Sequence, residues 1–334
     1  MFDLHRLRLL RELKHRGTLA AVATALSYSP STISQQLSQL ETEVGVPLLE
    51  QIGRRVRLTP QAEILVEHTE AVLERLERAE ADIATSLSGL SGTLRIASFQ
   101  TATLALVPTA LTLLREAHPA LRVHVTQAES EDSLPALLAR DFDLVIAEEY
   151  PGDPDPRPVE LHQEDLCDDP LRLAAPTTPG TAAPHGPHGT EDPEAALRAY
   201  ADHAWVMEPE GSAARRWATT LCRSAGFEPD VRFESTDLLL HLRLVELGHA
   251  VALLPDLVWN DREPTMGLGG LPRGRGSRRL FTAVRAGRST HPAIVACRGA
   301  LCRAAADTSP RTRSGALGDV VEPVEAPGRD HEQP

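Results

Sequence analysis

The chain has 334 residues, enough for two or three domains, and 42% of them are hydrophobic. Its formal net charge of −13 argues against nucleic-acid binding when it is taken as a single number. The charge is unevenly distributed, because residues 1–60 carry eight Lys and Arg against five Asp and Glu, a net of +3, which leaves −16 for the rest. The sequence shows neither a signal peptide nor an apolar run of about 18 residues, so we expect a cytoplasmic protein without membrane contact.

Three short helices are predicted first, each with an apolar face at helical spacing. The first ends at Gly17, and Thr18 is a suitable N-cap for the second. Ser29 is a suitable N-cap for the third, in which Pro30 takes the first position, where its missing N–H costs nothing. The residues of the apolar faces are Leu4, Leu7, Leu10, Leu13, Leu19, Val22, Ala23, Leu26, Ile33, Leu37 and Leu40. The second and third helices, joined by a tight turn, predict a helix-turn-helix over residues 18–43.

The outer face of the third helix is polar but uncharged, since no Asp, Glu, Lys or Arg occurs between Pro30 and Leu40. A solvated helix face, the alternative interpretation, would usually carry Glu and Lys. Gln can bond an adenine edge with two hydrogen bonds, and Ser and Thr can bond bases or phosphates. We therefore predict a face that contacts DNA. Its residues are Pro30, Ser31, Thr32, Ser34, Gln35 and Gln36.

A basic hairpin is predicted directly after the third helix. Residues 51–59 alternate between polar and apolar side chains around Gly53. Arg54 and Arg55 lie next to this glycine, where they can enter a minor groove or bind the phosphate backbone. Arg57 is equally consistent with a structural role. The hairpin is predicted to serve as a wing beside the DNA-contacting helix.

A long helix from Pro60 to about Leu87 is predicted next. Its apolar residues alternate at spacings of three and four between charged flanks, which is typical of a coiled-coil seam. The predicted seam consists of Leu65, Thr69, Val72, Leu76, Ala79, Ile83, Ser86 and Leu90. The alternative is a helix packed on its own domain, but so narrow a seam favours a partner helix. The dimer contacts expected from it are Leu65, Val72, Leu76, Ala79 and Ile83.

From Thr93 onward, strands and helices alternate. The predicted strands are 94–97, 122–125, 143–147, 205–207, 231–234 and one within 248–255, and the predicted helices are 101–117 (interrupted by Pro108), 133–140, 213–225 and 236–246. This alternation implies parallel strands with ligand sites beyond their carboxyl ends. The first such end is Ser98-Phe99-Gln100-Thr101, where hydroxyls, an amide and the N–H groups of a helix start favour an anion or a polar group. Ser98 is equally consistent with a helix cap.

Residues 27–66, SYSPSTISQQLSQLETEVGVPLLEQIGRRVRLTPQAEILV, resemble the DNA-binding signature of LysR-type transcriptional regulators. The matching elements are the serine-led turn, Ile33 to Leu37, Leu40-Glu41, Gly45 to Leu48, the arginine wing and Leu58-Thr59. Leu49 stands where the family usually has Phe, and Gln51 stands where it usually has Arg, which removes one phosphate contact. Further on, GFEPDVRFES and VELGHAVALLP resemble the second subdomain of the family's effector domain.

The resemblance extends from about residue 2 to residue 304 and implies a fold with two parts. An N-terminal all-α winged helix-turn-helix and long linker helix precede a C-terminal α/β effector domain, whose two subdomains are like those of a periplasmic binding protein. The divisions are 1–59 (winged helix-turn-helix), 60–91 (linker helix), 92–158 with 279–304 (effector subdomain I), 159–278 (effector subdomain II) and 305–334 (a disordered tail). It also implies an effector cleft between the subdomains, and a dimer or, as is usual in the family, a tetramer.

The residues expected to contact the effector are Ser98, Phe99, Gln100, Thr101, Glu129, Glu148, Glu210, Gly211 and Ser212. Members of the family often bind carboxylates at helix N-termini, as Thr101 and Ser212 could do. Glu129, Glu148 and Glu210 each follow a predicted strand and would repel an anion there, although they are equally consistent with facing solvent or holding the subdomains together. We therefore expect a small polar effector with a hydrogen-bond donor or a cationic group. A zwitterion whose acidic end is held by Thr101 and Ser212 also meets this expectation.

Cysteine and histidine spacing indicates no metal site, and no cofactor is expected. The four cysteines are read as reduced thiols. Some family members sense peroxide through a cysteine pair in the second subdomain, where Cys222 lies without a nearby partner. His185 and His188, in a predicted surface loop over residues 176–193, lack a third ligand.

Two other classes of protein remain as alternatives: an enzyme built on the α/β part, and a small-molecule-binding protein without DNA activity. The sequence contains no nucleophile elbow, phosphate loop or zinc signature. The helix-turn-helix and its basic wing count against the second alternative. The expected function is therefore that of a sequence-specific transcriptional regulator. Its expected partners are double-stranded promoter DNA, a small polar effector, further copies of itself and, for an activator, RNA polymerase.

Overall fold

The computed structural model describes residues 2–53, 55–87, 89–152, 158–177, 193–260, 262–272 and 274–308. Among these residues, no helix has both the length and the apolar character needed to cross a membrane.

The N-terminal head consists of three helices and a hairpin. They are α1 (Leu4–Arg16), α2 (Leu19–Leu26), α3 (Pro30–Val44), β1 (Leu49–Ile52) and β2 (Arg55–Leu58). Asp3, Thr18 and Ser29 accept hydrogen bonds from N–H groups in the first turns of the three helices. Gly17 and Gly45 end α1 and α3 in the left-handed conformation, which residues with a side chain rarely adopt. The buried apolar residues of the head are Leu7, Leu9, Leu10, Leu13, Val22, Ala23, Ile33, Leu37, Leu40, Leu48, Ala62 and Val66.

The linker helix α4 (Pro60–Thr85) has one face packed on its own chain and one face open. The buried residues are Ala62, Val66, Thr69, Leu73, Glu77 and Ala81. The prediction that Thr69 belongs to a seam facing a partner is wrong, because its side chain is buried and its hydroxyl donates to the Leu65 carbonyl at 2.7 Å. Leu90 also leaves the predicted seam, since the helix ends at Thr85.

A seven-stranded sheet joins the two effector subdomains. In subdomain I, β3 (Gly92–Ser98) pairs in parallel with β4 (Leu121–Gln127) and β5 (Leu144–Glu149). β11 (Ser277–Arg285) lies antiparallel between β5 and β6 (Leu161–Ala175). Because β11 runs the opposite way, its first residues lie at the sheet edge where β3 and β5 end. The helices of this subdomain are α5 (Gln100–Ala105), α6 (Val107–Ala117), α7 (Ser130–Leu138) and α11 (Pro292–Thr308).

Strand β6 continues into subdomain II, so one strand is shared by both subdomains. Its second half pairs antiparallel with β9 (Ala252–Pro255) and β10 (Gly267–Gly269). β7 (Ala204–Met207) pairs in parallel with β8 (Asp230–Glu234). The helices of this subdomain are α8 (Pro193–Arg198), α9 (Ala213–Ser224) and α10 (Leu238–Glu246), and short 3-10 turns occur at Asp256–Val258 and Ala286–Arg288.

The structure extends and corrects the sequence-based elements in several places. β6, β10, β11 and α11 are absent from the prediction. The predicted helix over 101–117 divides at Leu106, because Pro108 lies in the first turn of a new helix. The predicted tail starts too early, since residues 305–308 belong to α11 and Ala305 is buried. Residues 309–334 of that tail, and residues 178–192 of the predicted loop, lie outside the described residues.

The head is fastened to its own effector subdomain I by buried charged groups. Arg11 on α1 is only 1% exposed, and its Nε bonds the Glu70 carboxylate of α4 at 2.7 Å. The same guanidinium donates to the carbonyl oxygen of Leu138, at the end of α7. Arg16 extends the contact through Asp141, with Nη2 2.7 Å from Oδ1. Buried charges are stable only when they are paired, so these contacts must form together. They join α1, α4 and the end of α7 into one junction.

The second part of this junction lies where α4 meets the turn after β11. Glu77 on α4 is buried and pairs with Arg285, whose Nε lies 2.7 Å from Oε1, and also with Arg140. Gly287 approaches α4 so closely that a Cβ there would lie 2.6 Å from the carbonyl oxygen of Glu74. Only glycine therefore permits this distance between the linker helix and subdomain I.

Candidate DNA-reading face, dimer face and effector cleft

The outer face of α3 presents the uncharged polar surface predicted from the sequence. Pro30, Ser31, Ser34 and Gln35 are exposed, whereas Thr32 and Gln36 are half-buried. The hydroxyl of the N-cap Ser29 lies 2.8 Å from each of the Ser31 and Thr32 hydroxyls, which orders the start of the helix.

In the next turn of α3, the candidate side chains differ in whether they have a partner within the protein. Gln36 accepts a hydrogen bond from Arg6 Nε at 3.1 Å, so its side chain is held against α1. Within the described part of the chain, the side chains of Ser34 and Gln35 have no such partner. Their donors and acceptors are therefore free to meet a ligand.

The β1–β2 hairpin lies beside α3 as the predicted wing. Gly53 turns it with a φ of 62°. Arg57 pairs with Glu50 across the hairpin, Nε to Oε1 at 2.6 Å, which gives Arg57 a structural partner. Arg54 lies outside the described residues, and Arg55 begins β2.

The open face of the linker helix carries a row of apolar side chains. Val72, Leu76 and Ile83 are 46%, 44% and 64% exposed, Ala79 is exposed between them, and Leu65 is half-buried nearer the head. Contiguous exposed apolar residues are unusual on a monomeric surface and mark interaction sites. The chain's own head and effector domain cover the opposite face of the same helix.

Arg278 lies at the centre of the cleft between the two subdomains. Its side chain is 1% exposed, and Nε and Nη2 lie 2.9 Å and 2.7 Å from Oδ2 of Asp169. Nη1 pairs with Glu148 and lies 3.3 Å from the Tyr150 hydroxyl, and Nη2 donates to the Thr101 hydroxyl at 2.6 Å. Although burial opposes its charge, Glu148 and Asp169 hold the pKa of Arg278 well above its usual value. A permanent cation therefore ties both subdomains together.

The side chains of residues 98–101, at the end of β3, are mostly buried or already bonded within the protein. Phe99 is buried 5.0 Å below the Arg278 guanidinium, and the Thr101 hydroxyl already accepts its hydrogen bond. Ser98 is fully buried with its hydroxyl 3.3 Å from the Phe99 carbonyl. The alternative that Ser98 caps the helix is wrong, because Phe99 holds the N-cap position without a side-chain bond.

Two polar contacts cross the cleft and hold it closed. Gln100 donates to Oδ1 of Asp237 at 2.7 Å and accepts from the Leu238 N–H at 2.8 Å. Glu131, in the first turn of α7, accepts from the Ala213 N–H at the start of α9, at 2.6 Å. Both contacts join an element of subdomain I to the N-terminus of a helix in subdomain II.

The loop before α9 offers less to a ligand than the sequence predicts. Ser212 uses its hydroxyl to cap α9, accepting from the Arg215 N–H at 3.1 Å. Because Glu131 already occupies the adjacent N–H, an anionic ligand there would meet a carboxylate, which speaks against Ser212 as its contact. Gly211 is an exposed turn residue with a φ of 94°, and Glu210 is exposed.

Glu129 and Glu208 lie on opposite sides of the cleft, close enough for their carboxylates to interact electrostatically. Burial, Glu148 and Glu131 raise the pKa of Glu129 to about 7. Burial, Glu148 and Glu129 raise the pKa of Glu208 well above its usual value. Within the described residues, neither carboxylate is paired with a cation or bonded to another side chain. The closed cleft therefore holds more carboxylates than the guanidinium of Arg278 neutralises.

A small cavity of about 30 Å³ lies beside Glu208. The rings of Tyr150 and Trp217 form part of its wall, with centroids 5.3 Å apart. His241 also lines it, and burial lowers the pKa of this ring, which favours its neutral form. Trp217 is 5% exposed, and its indole N–H finds no acceptor within the described residues.

Five residues of the cleft were not predicted from the sequence, namely Arg278, Asp169, Tyr150, Glu208 and Trp217. Arg278 belongs to an arginine- and glycine-rich run that reads as surface charge, and Asp169 to an acidic run that reads as a loop. The aromatic residues offer a usable signal, because only 4% of the chain is Phe, Trp or Tyr. Tyr150 follows a predicted buried strand, the position at which α/β folds present ligand contacts.

Three of the four cysteines lack the environment of a reactive thiol. Burial raises the pKa values of Cys167, Cys222 and Cys297 to about 12 each. A thiol with so high a pKa is a poor nucleophile towards peroxide. Within the described residues, no group of three or more His, Cys, Asp or Glu side chains could hold a metal ion. His185 and His188 lie outside these residues.

A winged helix-turn-helix on a long helix, followed by a two-subdomain α/β module with a central cleft, defines a DNA-binding regulator with a ligand-responsive domain. The family model described as bacterial regulatory helix-turn-helix protein, lysR family, matches residues 4–63. The model described as LysR substrate binding domain matches residues 87–306, which is more than half of the chain. The chain belongs to the LysR family of transcriptional regulators.

Individual relatives agree with this assignment. The chain is 26% identical over 262 residues to the transcriptional dual regulator GltC of Bacillus subtilis, covering 78% of this chain and 83% of the relative. It is 29% identical over 250 residues to a probable hydrogen peroxide-inducible genes activator of Mycobacterium avium, covering 75% and 76%. Full-length OxyR from Pseudomonas aeruginosa has the same fold, with a TM-score of 0.62 at 20% identity over 90% of this chain and 95% of that one. These relatives are regulators, and the chain is a regulator rather than an enzyme.

Proposed function

We propose that α3 reads the major groove of promoter DNA and that the wing contacts the adjacent backbone. The observation that carries this proposal is the exposed, uncharged face of a well-capped helix, on which the side chains of Ser34 and Gln35 have no partner among the described residues. A solvated helix face would usually carry Glu and Lys. The donors and acceptors of Ser and Gln instead match those of base edges. The net positive charge of the head supplies attraction to the phosphates, whereas the acidic remainder of the chain repels them.

Fluorescence anisotropy with the DNA upstream of the chain's own gene tests this proposal. Shuffled DNA of the same length and composition is the control, and both are measured at the same ionic strength. Specific sites are typically bound about a thousandfold or more tightly than other DNA, so we expect a clear preference for the natural sequence. Equal affinity for the two duplexes would exclude sequence-specific regulation through this DNA.

The functional unit we propose is a homodimer formed through the open face of α4, with tetramers assembled from dimers. Two heads held by one pair of linker helices can bind two half-sites at once, which one head cannot do. The row of exposed apolar residues on α4 supports this arrangement. For an activator, RNA polymerase would be a further partner. We propose that the protein acts in the cytoplasm.

We further propose that a small polar effector binds in the cleft between the subdomains and changes promoter binding. Arg278 joins the subdomains at the cleft and lies near the start of β11. The same strand ends at Arg285, in the junction with the linker helix. A change in cleft closure can therefore displace the linker helix through one continuous strand.

A further inference from the structure

The cleft contains an excess of negative charge that the fold itself does not neutralise. Five carboxylates surround the guanidinium of Arg278, while the guanidinium of Arg215, beside Glu208, pairs with Glu234. The five are Glu129, Glu131, Glu148, Asp169 and Glu208. Arg278 is fully engaged by two of them, Glu148 and Asp169. Glu131 is bonded to the start of α9, which leaves the carboxylates of Glu129 and Glu208 without a side-chain partner among the described residues.

Closing the cleft brings these two unpaired carboxylates towards each other and towards Glu148. Like charges in a partly desolvated site repel, so the closed state must take up either protons or a cation. His241 does not supply that cation, because burial favours its neutral ring and its Nε2 is bonded to the Ser235 carbonyl at 2.7 Å. Arg215 donates through Nη1 to the backbone carbonyl of Glu208 at 2.9 Å, but its ion pair is with Glu234. Within the described residues, neither Glu129 nor Glu208 therefore has a cation paired with its carboxylate, and a bound ligand can supply one.

The cavity beside Glu208 has the size and lining that a small cation needs. Its volume of about 30 Å³ is enough for a group of about the size of a water molecule, and an ammonium group is of that size. The rings of Tyr150 and Trp217 offer π faces in its wall, and a cation is attracted to such faces. The unpaired Trp217 N–H adds a donor for an acceptor atom on the same molecule.

We propose that the effector is a small organic amine whose ammonium group binds in this cavity against Glu208 and within reach of the charge of Glu129. This inference rests on the regulator function proposed above and specifies the chemical class of its ligand. The amine supplies the positive charge that closure requires and bridges a carboxylate of subdomain II to those of subdomain I. Because Gln100 and Glu131 close the cleft, the ligand enters when these two contacts open.

Titration calorimetry with a matched set of four-carbon compounds tests the proposal on the full chain. Putrescine and γ-aminobutyrate carry an ammonium group, butanediol is neutral, and succinate carries only carboxylates. All four are measured at the same ionic strength, so that screening cannot explain a difference. We expect saturable binding of at least one ammonium-bearing compound and none of butanediol or succinate.

Two variants connect the binding to the cavity. Glu208→Gln keeps the shape of the side chain and should weaken amine binding by about tenfold or more, the loss expected for one charge-assisted hydrogen bond. Glu116→Gln is the matched control, because this exposed residue on α6 lies outside the cleft, and it should leave amine binding unchanged. Glu208→Gln also removes a repelling charge, so its melting temperature should be at least that of the unmodified chain.

The pH dependence of amine binding provides a second readout. The pKa of Glu129 is about 7, and the groups that face it are Glu148, Glu131, Asp132, Arg278 and, across the cleft, Glu208. Affinity for an amine should therefore increase as the pH rises through about 7 and Glu129 becomes charged. Affinity for an anion would decrease over the same range.

Three results would each overturn the proposal: saturable binding of succinate or butanediol in preference to the amines, no binding of either amine, or equal amine binding by Glu208→Gln. Promoter binding is measured on the same preparations without any added compound. If promoter binding is intact and amine binding fails, only the ligand class is wrong. If specific promoter binding fails, the proposed regulator function fails with it.

Discussion

The exposure of Ser34 and Gln35 follows from the way α3 begins. Ser29 accepts a hydrogen bond from the Thr32 N–H, and Pro30 fixes the first turn without losing a hydrogen bond. Ile33 and Leu37 then turn inward at helical spacing, so the residues between them face outward. One buried stripe therefore sets the orientation of the whole proposed DNA-reading face.

Substitution of Gln35 by Ala should weaken binding to the upstream DNA by about 1–3 kcal/mol, because a bidentate contact to a base edge is lost. The preference for one base in each half-site should relax at the same time. Anisotropy titrations with DNA variants altered at one base pair measure both effects. Gln127→Ala, on the exposed end of β4 in the effector domain, is the matched control. Unchanged affinity and unchanged base preference would remove Gln35 from the reading face.

Gly287 is a residue at which a single methyl group should loosen the junction between linker helix and effector domain. A Cβ there would lie 2.6 Å from the Glu74 carbonyl oxygen and 2.9 Å from the Glu77 Cβ, and neither atom can yield without moving α4. We expect Gly287→Ala to reduce the free energy of unfolding by about 1–3 kcal/mol. Urea denaturation followed by circular dichroism measures the change.

Gly299→Ala is the control for this substitution. Gly299 lies within α11, and nothing lies within 4 Å of its missing Cβ. Alanine there should stabilise the chain by about 0.5–1 kcal/mol through helix propensity. Opposite signs for the two variants are the expected result, and a stabilising Gly287→Ala would disprove the close packing of α4 on subdomain I.

At the scale of secondary-structure elements, the linker helix is where the chain should meet its copy. Leu76 is 44% exposed on the open face of α4, and Leu76→Asp would place an unpaired charge in an apolar seam. Sedimentation velocity should show dissociation to a smaller species, and promoter affinity should fall because a single head binds one half-site.

Leu247→Asp provides the comparison for this prediction. Leu247 is 53% exposed at the end of α10, away from the linker helix, so the same substitution should leave the sedimentation coefficient unchanged. Sedimentation of the unmodified chain as a monomer at micromolar concentration would contradict the proposed dimer.

Most helices, the parallel strands and β9 could be predicted from the sequence, whereas α11 and the antiparallel strands β6, β10 and β11 could not. The helices of the head have strong caps and regular apolar spacing, and β3 and β5 have buried runs. β6 begins with an acidic and partly exposed segment containing Pro170, because its first half lies in one subdomain and its second half in the other. The sequence of β6 therefore resembles a loop, and its pairing with β11 and β9 is seen only in the structure.

The central residue of the cleft escaped prediction for a related reason. Arg278 is separated from Glu148 by 130 positions in the sequence and from Asp169 by 109. Only the antiparallel placement of β11 between β5 and β6 brings the three together. The sequence does predict carboxylates at the strand ends and places Glu129 and Glu148 at the cleft, but it offers no sign of the cation that Glu148 binds.

At the scale of the whole molecule, the crowded carboxylates make stability depend on pH. Glu129 has an ordinary pKa of 4.5 and a pKa of about 7 in the folded chain, so the folded state holds a proton that the unfolded state releases. The stabilisation is present in full below pH 4.5 and is lost as the pH rises through about 7. Glu208, whose pKa is also raised, acts in the same direction.

Differential scanning calorimetry across this pH range should therefore show a Tm that falls as the pH rises through about 7. Glu129→Gln, which cannot ionise, should reduce this slope, while Glu116→Gln should leave it unchanged. A Tm that rises over the same range in the unmodified chain would show that these carboxylates are ionised and paired in the folded state.

The most direct measurement of the central claim is a hydroxyl-radical footprint of the full chain on the DNA upstream of its own gene. We expect protection of two half-sites on one face of the duplex, with their centres separated by one or more helical turns, because the proposed dimer presents two α3 helices. Gln35→Ala should weaken protection of both half-sites, and Leu76→Asp should abolish their joint protection. Protection that covers the duplex uniformly and equally on shuffled DNA would contradict sequence-specific reading by α3.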